Sequence, residues 1–388
     1  MADIKSSIPV MLTLDPGLSD TKIVVRVDPL KPQLLVMSPE VIEVSREAID
    51  SYLCERVVSP NPESEAWVEY GGSYFAVGFL AHKRFGSRVI VDELKYEWAI
   101  AKVLAAVGVT AIQQGLPEEF DLALGMPLPF SEWRTREKFE REVSEALAEF
   151  SFCGHPLRVR LRYFVCVPEG GGHMMVRGDR LGIDFNQEVI VTIMFGFRDL
   201  SVVVSDRGVI SGHTEPLGKY RMLRMVQGRT AGHTSRERER KLLETIHQVG
   251  GAIKPKHFHS LALSKHKGRK AEEAVEIAEA VKSARAEYWA MVSRHLLSAI
   301  PAEANEIILG GGVSDYFRPE LQQLLSRNFA QVRLSWSAEL EEDVRVSFNL
   351  PPQERGLCVR LTDAYGLSRY MQKQVCPKAS VAKVQEEV

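Results

Sequence analysis

The chain has 388 residues, more than one compact core serves, and suits two domains. Its 49 Lys and Arg nearly balance 51 Asp and Glu, for a formal net charge of -2, which excludes a global polybasic signal for nucleic acid or an anionic membrane. No run approaches the roughly 18 apolar residues of a membrane helix and residues 1–5 lack a signal-peptide core, so a cytoplasmic protein with no membrane partner is expected. Five scattered cysteines without C-x-x-C spacing indicate neither a disulfide framework nor a zinc site.

Residues 12–25 read as two apolar, β-rich segments joined by a tight turn that holds Asp15, Pro16, Gly17, Leu18, Ser19, Asp20, Thr21 and Lys22. Gly17 lets backbone N–H groups approach an anion, Ser19 and Thr21 add donors, Lys22 adds charge, and Asp15 can hold Mg2+ through water. An ordinary β-hairpin turn favours the same residue types. Further short strands are expected at 33–37 and 41–44, and Gly71-Gly72 marks a hairpin between 67–70 and 73–78. Helical spacing at Tyr96, Ile100, Val103, Leu104 and Val107 predicts a helix that Gly108 is placed to stop.

Residues 120–128 form an apolar strand running into a Gly-x-Pro turn, after which Ser131 caps a helix to about 147 with Phe139, Val143 and Leu147 on one face. From 157 to 167, Arg158, Arg160 and Arg162 alternate with Val159, Leu161 and Tyr163, and the strand ends in Pro168-Glu169-Gly170-Gly171-Gly172. A carboxylate beside three glycines there lies where open α/β sheets bind ligands, though a flexible surface loop has the same composition. Residues 189–204 repeat the outline of the opening stretch, strand, glycine turn, strand. That repeat suggests two domains of similar ancestry whose hairpins face each other.

Helical spacing returns at 217–226, and Thr234-x-x-Glu237 forms a capping box for a helix that Gly250 stops. The Lys- and His-rich stretch 254–270 reads as a solvated loop, with His257 and His259 too isolated for a metal site. A long helix, 270–300, carries Ala274, Ile277, Val281, Ala284, Tyr288, Met291 and His295 along one stripe. A third glycine turn, Gly310-Gly311-Gly312, directly follows an apolar strand. A helix at 319–325, a strand at 332–336 and a helix at 354–372 broken by Gly356 and Gly366 complete the chain.

In this order the turns resemble those of the actin-like ATPases, most closely the ParM/StbA group of plasmid-segregation actins. Gly125-Met126-Pro127-Leu128 and Asp363-Ala364-Tyr365-Gly366 add to the likeness, which covers most of the chain. The resemblance implies an α/β fold of two similar actin-like (ribonuclease H-like) domains with a nucleotide cleft between them. Residues 1–185 plus 352–375 would form the first, 186–351 the second with a helical subdomain at about 215–300, and 376–388 a disordered tail. It implies ATP and Mg2+ as cofactors, and self-association into head-to-tail filaments, for plasmid segregation or cytoskeletal scaffolding, with DNA engaged only through an adaptor if at all.

By position, the resemblance assigns Asp15, Gly17, Leu18, Ser19, Thr21 and Lys22 to the first phosphate loop, with Asp15 serving the metal. Gly196, Phe197 and Arg198 fall in the second loop, Gly310, Gly311 and Gly312 in the adenosine loop, and Glu169 matches the glutamate that orients the attacking water. One departure stands out: Met194 takes the place of an aspartate two residues before Gly196, and a thioether cannot hold the water shell of Mg2+. Asp199 is the candidate stand-in, and Pro16 removes one N–H from the first loop. ATP binding with slow or impaired hydrolysis is therefore expected. The alternatives are a non-polymerising nucleotide-sensing adaptor and a small-molecule kinase, which would need a general base that the second loop does not offer.

Overall fold

The computed structural model describes residues 10–57, 61–88 and 94–376; the expected tail from 377 lies outside them. Fourteen strands are described: β1 (Val10–Asp15), β2 (Thr21–Val27), β3 (Gln33–Met37), β4 (Val41–Val44), β5 (Trp67–Tyr70), β6 (Ser73–Val77), β7 (Glu119–Leu128), β8 (Phe150–Phe152), β9 (His155–Pro168), β10 (Val189–Phe195), β11 (Leu200–Asp206), β12 (Val209–Glu215), β13 (Glu306–Gly310) and β14 (Arg333–Ser335). The helices are α1 (Arg46–Glu55), α2 (Phe79–Lys83), α3 (Lys95–Gln114), α4 (Phe130–Trp133), α5 (Arg136–Ala148), α6 (Gly171–Leu181), α7 (Lys219–Gln227), α8 (Arg236–Val249), α9 (Lys267–Ala299), α10 (Gly312–Tyr316), α11 (Arg318–Asn328), α12 (Ala338–Ser347) and α13 (Arg355–Val375).

The strands form two sheets, ordered β3-β2-β1-β7-β9-β8-β5-β6-β4 and β12-β11-β10-β13-β14. In the first, β1, β2 and β3 pair antiparallel, and β7 and β9 continue parallel to β1. In the second, β10, β11 and β12 pair antiparallel, and β13 and β14 continue parallel to β10. One five-strand plan therefore occurs twice, and the repeat read from residues 189–204 extends to five of the nine strands of the first sheet and all five of the second. It includes β12, which sequence patterning passes over because its polar residues alternate on an exposed edge.

Each central strand is apolar on both faces and so must be covered twice. Leu12, Leu14, Leu122 and Leu124 pack under α3 and α5, while Met11, Ala123 and Val167 pack against Leu367, Met371 and Val375 of α13. The second sheet buries Val191, Ile193, Leu200 and Val202 against α7, α8, α9 and α11.

Several glycines read as helix breaks turn out to be sites of close packing. α3 continues through Gly108, where a side chain would collide with the Phe152 ring, and ends at Gly115 with φ of +61°. α13 is unbroken: Gly366 faces the Gly172 carbonyl of α6, and Gly172 lies against the Asp363 carbonyl, so the two helices cross backbone to backbone. Gly171 and Gly172 thus belong to the first turn of α6 rather than to a loop. The Thr234 capping box does not form, since Ser235 is the N-cap of α8 and makes no side-chain cap bond. Along α9 the buried stripe passes from Tyr288 to Val292 and Leu296, four apart, leaving Met291 and His295 half-buried.

Candidate functional site

The β1–β2 and β10–β11 turns are built alike. In the first, Gly17 sits so close to the Asp20 carbonyl that an added Cβ would be 2.7 Å from it; in the second, Gly196 relates to the Asp199 carbonyl at 3.1 Å. Register extends the match, because Asp15 pairs with Lys22 and Met194 pairs with Ser201. Met194 is therefore the structural counterpart of Asp15, Ser201 of Lys22, and Asp199 of Asp20. Asp199 does not take the place of the missing aspartate; its carboxylate accepts from Arg198 at 2.7 Å.

Between the turns lies a cluster of buried charge. The Lys22 ammonium is 2.5 Å from Asp15, and Lys95, the first residue of α3, donates to Glu169. Ser201 donates to the other Glu169 oxygen at 3.0 Å and shares a hydrogen bond with Thr214 at 3.2 Å. Arg198 donates to Glu132 at 2.7 Å, and Thr214 accepts from the Phe130 N–H at 3.1 Å. These bonds join the two halves: Glu169, Glu132 and Phe130 come from the first, Ser201, Arg198 and Thr214 from the second. Two turns further along α3, buried Lys102 reaches the Pro16 carbonyl at 3.4 Å.

The electrostatics follow from this crowding. Burial works against the Lys95 charge, but Glu169, Asp15 and Asp199 outweigh it and hold the ammonium well above its ordinary range. Burial also disfavours the Asp15 carboxylate, yet Lys22, Lys95 and Lys102 together keep it below its usual range. Lys102 has no carboxylate partner in its hydrogen bonds, and burial, with Lys95 beside it, pushes it down to about 7. The cluster thus carries three lysines around one turn that sequence reasoning credited with Lys22 alone. Lys95 and Lys102 were legible only as two cations seven apart on a mostly apolar helix.

The third turn is pinned by packing. A Cβ on Gly310 would be 2.5 Å from the Met194 sulfur, and Gly311, with φ of +86°, lies against the Phe195 carbonyl. Gly312 has room, with its nearest neighbour, Arg360, 3.9 Å away. Leu18 and Ser19 are half-exposed at the tip of the first turn, whereas the Thr21 hydroxyl is buried without a hydrogen-bond partner among the described residues. Phe197 accepts from the Tyr220 N–H through its carbonyl at 2.8 Å and stacks on that ring at a tilt. Behind the turns, Asp363 accepts from the Gly170 and Gly172 N–H groups at 2.8 Å each, closing the start of α6.

No family model matches this sequence, and no curated protein matches it. Solved structures do. A ParM filament from Clostridium botulinum superposes with a TM-score of 0.57 at 12% identity, covering 94% of this chain and 99% of that one. An archaeal actin homologue gives 0.54 at 15% identity over 94% and 99%. Bacillus thuringiensis ParM with AMPPNP gives 0.51 at 12% identity over 95% and 100%. The fold is actin-like.

In this actin-like frame the anion side of a nucleotide fits the residues present: a glycine turn, three buried lysines and the backbone around Gly312 suit phosphate. Mg2+ does not fit them. It asks for oxygen ligands in near-octahedral array, whereas Asp15 is held by Lys22, Glu169 by Lys95 and Ser201, and Asp199 by Arg198. Among the described residues no group of three or more His, Cys, Asp or Glu side chains is arranged to hold a metal ion. The sequence expectation of a metal on Asp15 is at odds with this donor set. No helix among the described residues is long and apolar enough to cross a membrane.

Proposed function

We propose that the chain binds ATP between its two sheets and assembles head to tail into filaments, with hydrolysis slow or lost. The observation that carries this reading is the pair of equivalent hairpin turns, at Gly17 and Gly196, with lysines buried beside them and the Gly312 turn alongside. Gly17, Ser19, Lys22 and Gly312 would bind the nucleotide. The likeness to a ParM filament and to a ParM carrying AMPPNP supports both parts of the reading. The division into domains at 1–185 plus 352–375 and 186–351 belongs to the same proposal, as does a role in plasmid segregation through a DNA adaptor.

Slow turnover follows from two features. Met194 cannot act as the second-loop carboxylate, and each oxygen of Glu169 already accepts one bond, from Lys95 and from Ser201, which makes it a weaker acceptor for a water. The same features favour, as a second reading, a nucleotide sensor that does not polymerise. Sedimentation and negative-stain microscopy with and without ATP, alongside a phosphate-release assay, separate the two. Filaments that require ATP, with little phosphate released, are expected; a chain that stays monomeric in ATP at high concentration would refute assembly.

A further inference from the structure

The two facing hairpins differ in one pair of positions. The first presents Asp15 and Lys22, and the second presents Met194 and Ser201. Asp199 does not restore the missing carboxylate, because it occupies the position of Asp20 and is held by Arg198. Met194 also fills space, its sulfur lying against Gly310 and its Cγ against Gly170. An apolar side chain thus stands where a hydrated cation would need oxygen.

A different cation is already in place. The Lys95 ammonium donates to Glu169 at the join of the two halves, with its side chain 5% exposed. We propose that this chain takes the polyphosphate of a nucleoside triphosphate without a divalent metal, the Lys95 ammonium neutralising charge that Mg2+ neutralises in a carboxylate-lined cleft. The inference rests on the nucleotide reading given above.

An ammonium is a compact charge with three donors, of which Glu169 uses one. Held by that carboxylate at the foot of α3, it meets an anion with little reorganisation, and the low dielectric of a buried site strengthens the attraction. Lys22 and Lys102 lie on the two sides of the same turn: one bonded to Asp15, the other reaching the Pro16 carbonyl. Lys22 and Lys95 are thus charged groups of one buried shell, and a metal would have to displace Lys22 from Asp15, Lys95 from Glu169 or Arg198 from Asp199.

The test is ATP binding to the full-length protein by isothermal titration calorimetry, once with Mg2+ and once with EDTA in place of the metal. The two Kd values are expected to agree within about fivefold. A Lys95→Gln/Glu169→Gln double variant removes the pair together, so that no buried charge is left alone. Its binding in EDTA is expected to weaken by more than about fivefold. Wild-type binding that EDTA weakens beyond that margin overturns the proposal without reference to any variant. A folded double variant, checked by circular dichroism, that binds ATP in EDTA as tightly as wild type overturns it equally. If ATP binds in neither buffer, the nucleotide reading itself is refuted, and this inference falls with it.

Discussion

His173 shows how one buried side chain ties acid stability to the joint behind the cleft. Its two ring nitrogens are bonded to Ser337 at 2.7 Å and Thr362 at 3.1 Å, and burial pushes its pKa down to about 4. The unfolded chain protonates this ring below its ordinary value of 6.5, while the folded chain resists until about 4, so the unfolded state binds more protons across that window. Stability from the neutral ring is therefore complete above pH 6.5 and is lost as the pH falls toward 4. Asp363 works in the opposite direction, since burial, only partly offset by the Gly170 and Gly172 N–H groups, pushes its pKa up to about 7. The two are separated by difference: relative to His173→Gln, the wild type should lose about 3 kcal/mol between pH 6.5 and 4 in chemical denaturation. Parallel curves for the two proteins would show that the ring does not titrate in this way.

At the scale of elements, the crossing of α6 and α13 fixes the site, because the turn at Glu169 leads directly into α6 and Asp363 of α13 closes its first N–H groups. The crossing depends on two glycines that sequence patterning treats as a loop and a break. A methyl at Gly172 would overlap the Asp363 carbonyl, which is backbone and cannot swing aside. Gly172→Ala should therefore cost about 1–3 kcal/mol or more by urea unfolding. Gly356, on the same helix α13, has nothing within 4 Å of an added Cβ, so Gly356→Ala should be neutral or gain up to about 1 kcal/mol. Equal effects at the two positions would remove the case for a backbone-to-backbone crossing.

For the whole molecule, the cores are separate: one lies under α3 and α5 and the other under α7, α8, α9 and α11, while the cleft is bridged by polar pairs such as Glu132–Arg198 and Glu169–Ser201. A ligand held by both halves stabilises the folded state against unfolding of either. ATP at about a hundredfold excess over its Kd should add about 2.7 kcal/mol, read as a rise in melting temperature that scales with nucleotide concentration. An unmoved melting temperature at saturating ATP would speak against binding between the halves.

The strands at 33–37 and 41–44, the hairpin turns and the repeat were legible in the sequence, because apolar alternation and glycine turns are local properties, whereas the odd place of Met194 came from the resemblance to the family's second phosphate loop. Pairings between distant segments were not. Nothing near Lys95 in the chain points to Glu169, and nothing near Gly172 points to Asp363, since those contacts exist only once α3, α6 and α13 are folded onto the sheets. The sequence by itself determined two glycine turns of one outline, with Asp15 two residues before the first glycine and Met194 two residues before the second. Only the tertiary structure decided what surrounds these positions, Gly310 packed on Met194 and a lysine from another element on Glu169, because burial forces each cleft carboxylate to find a partner wherever the fold supplies one.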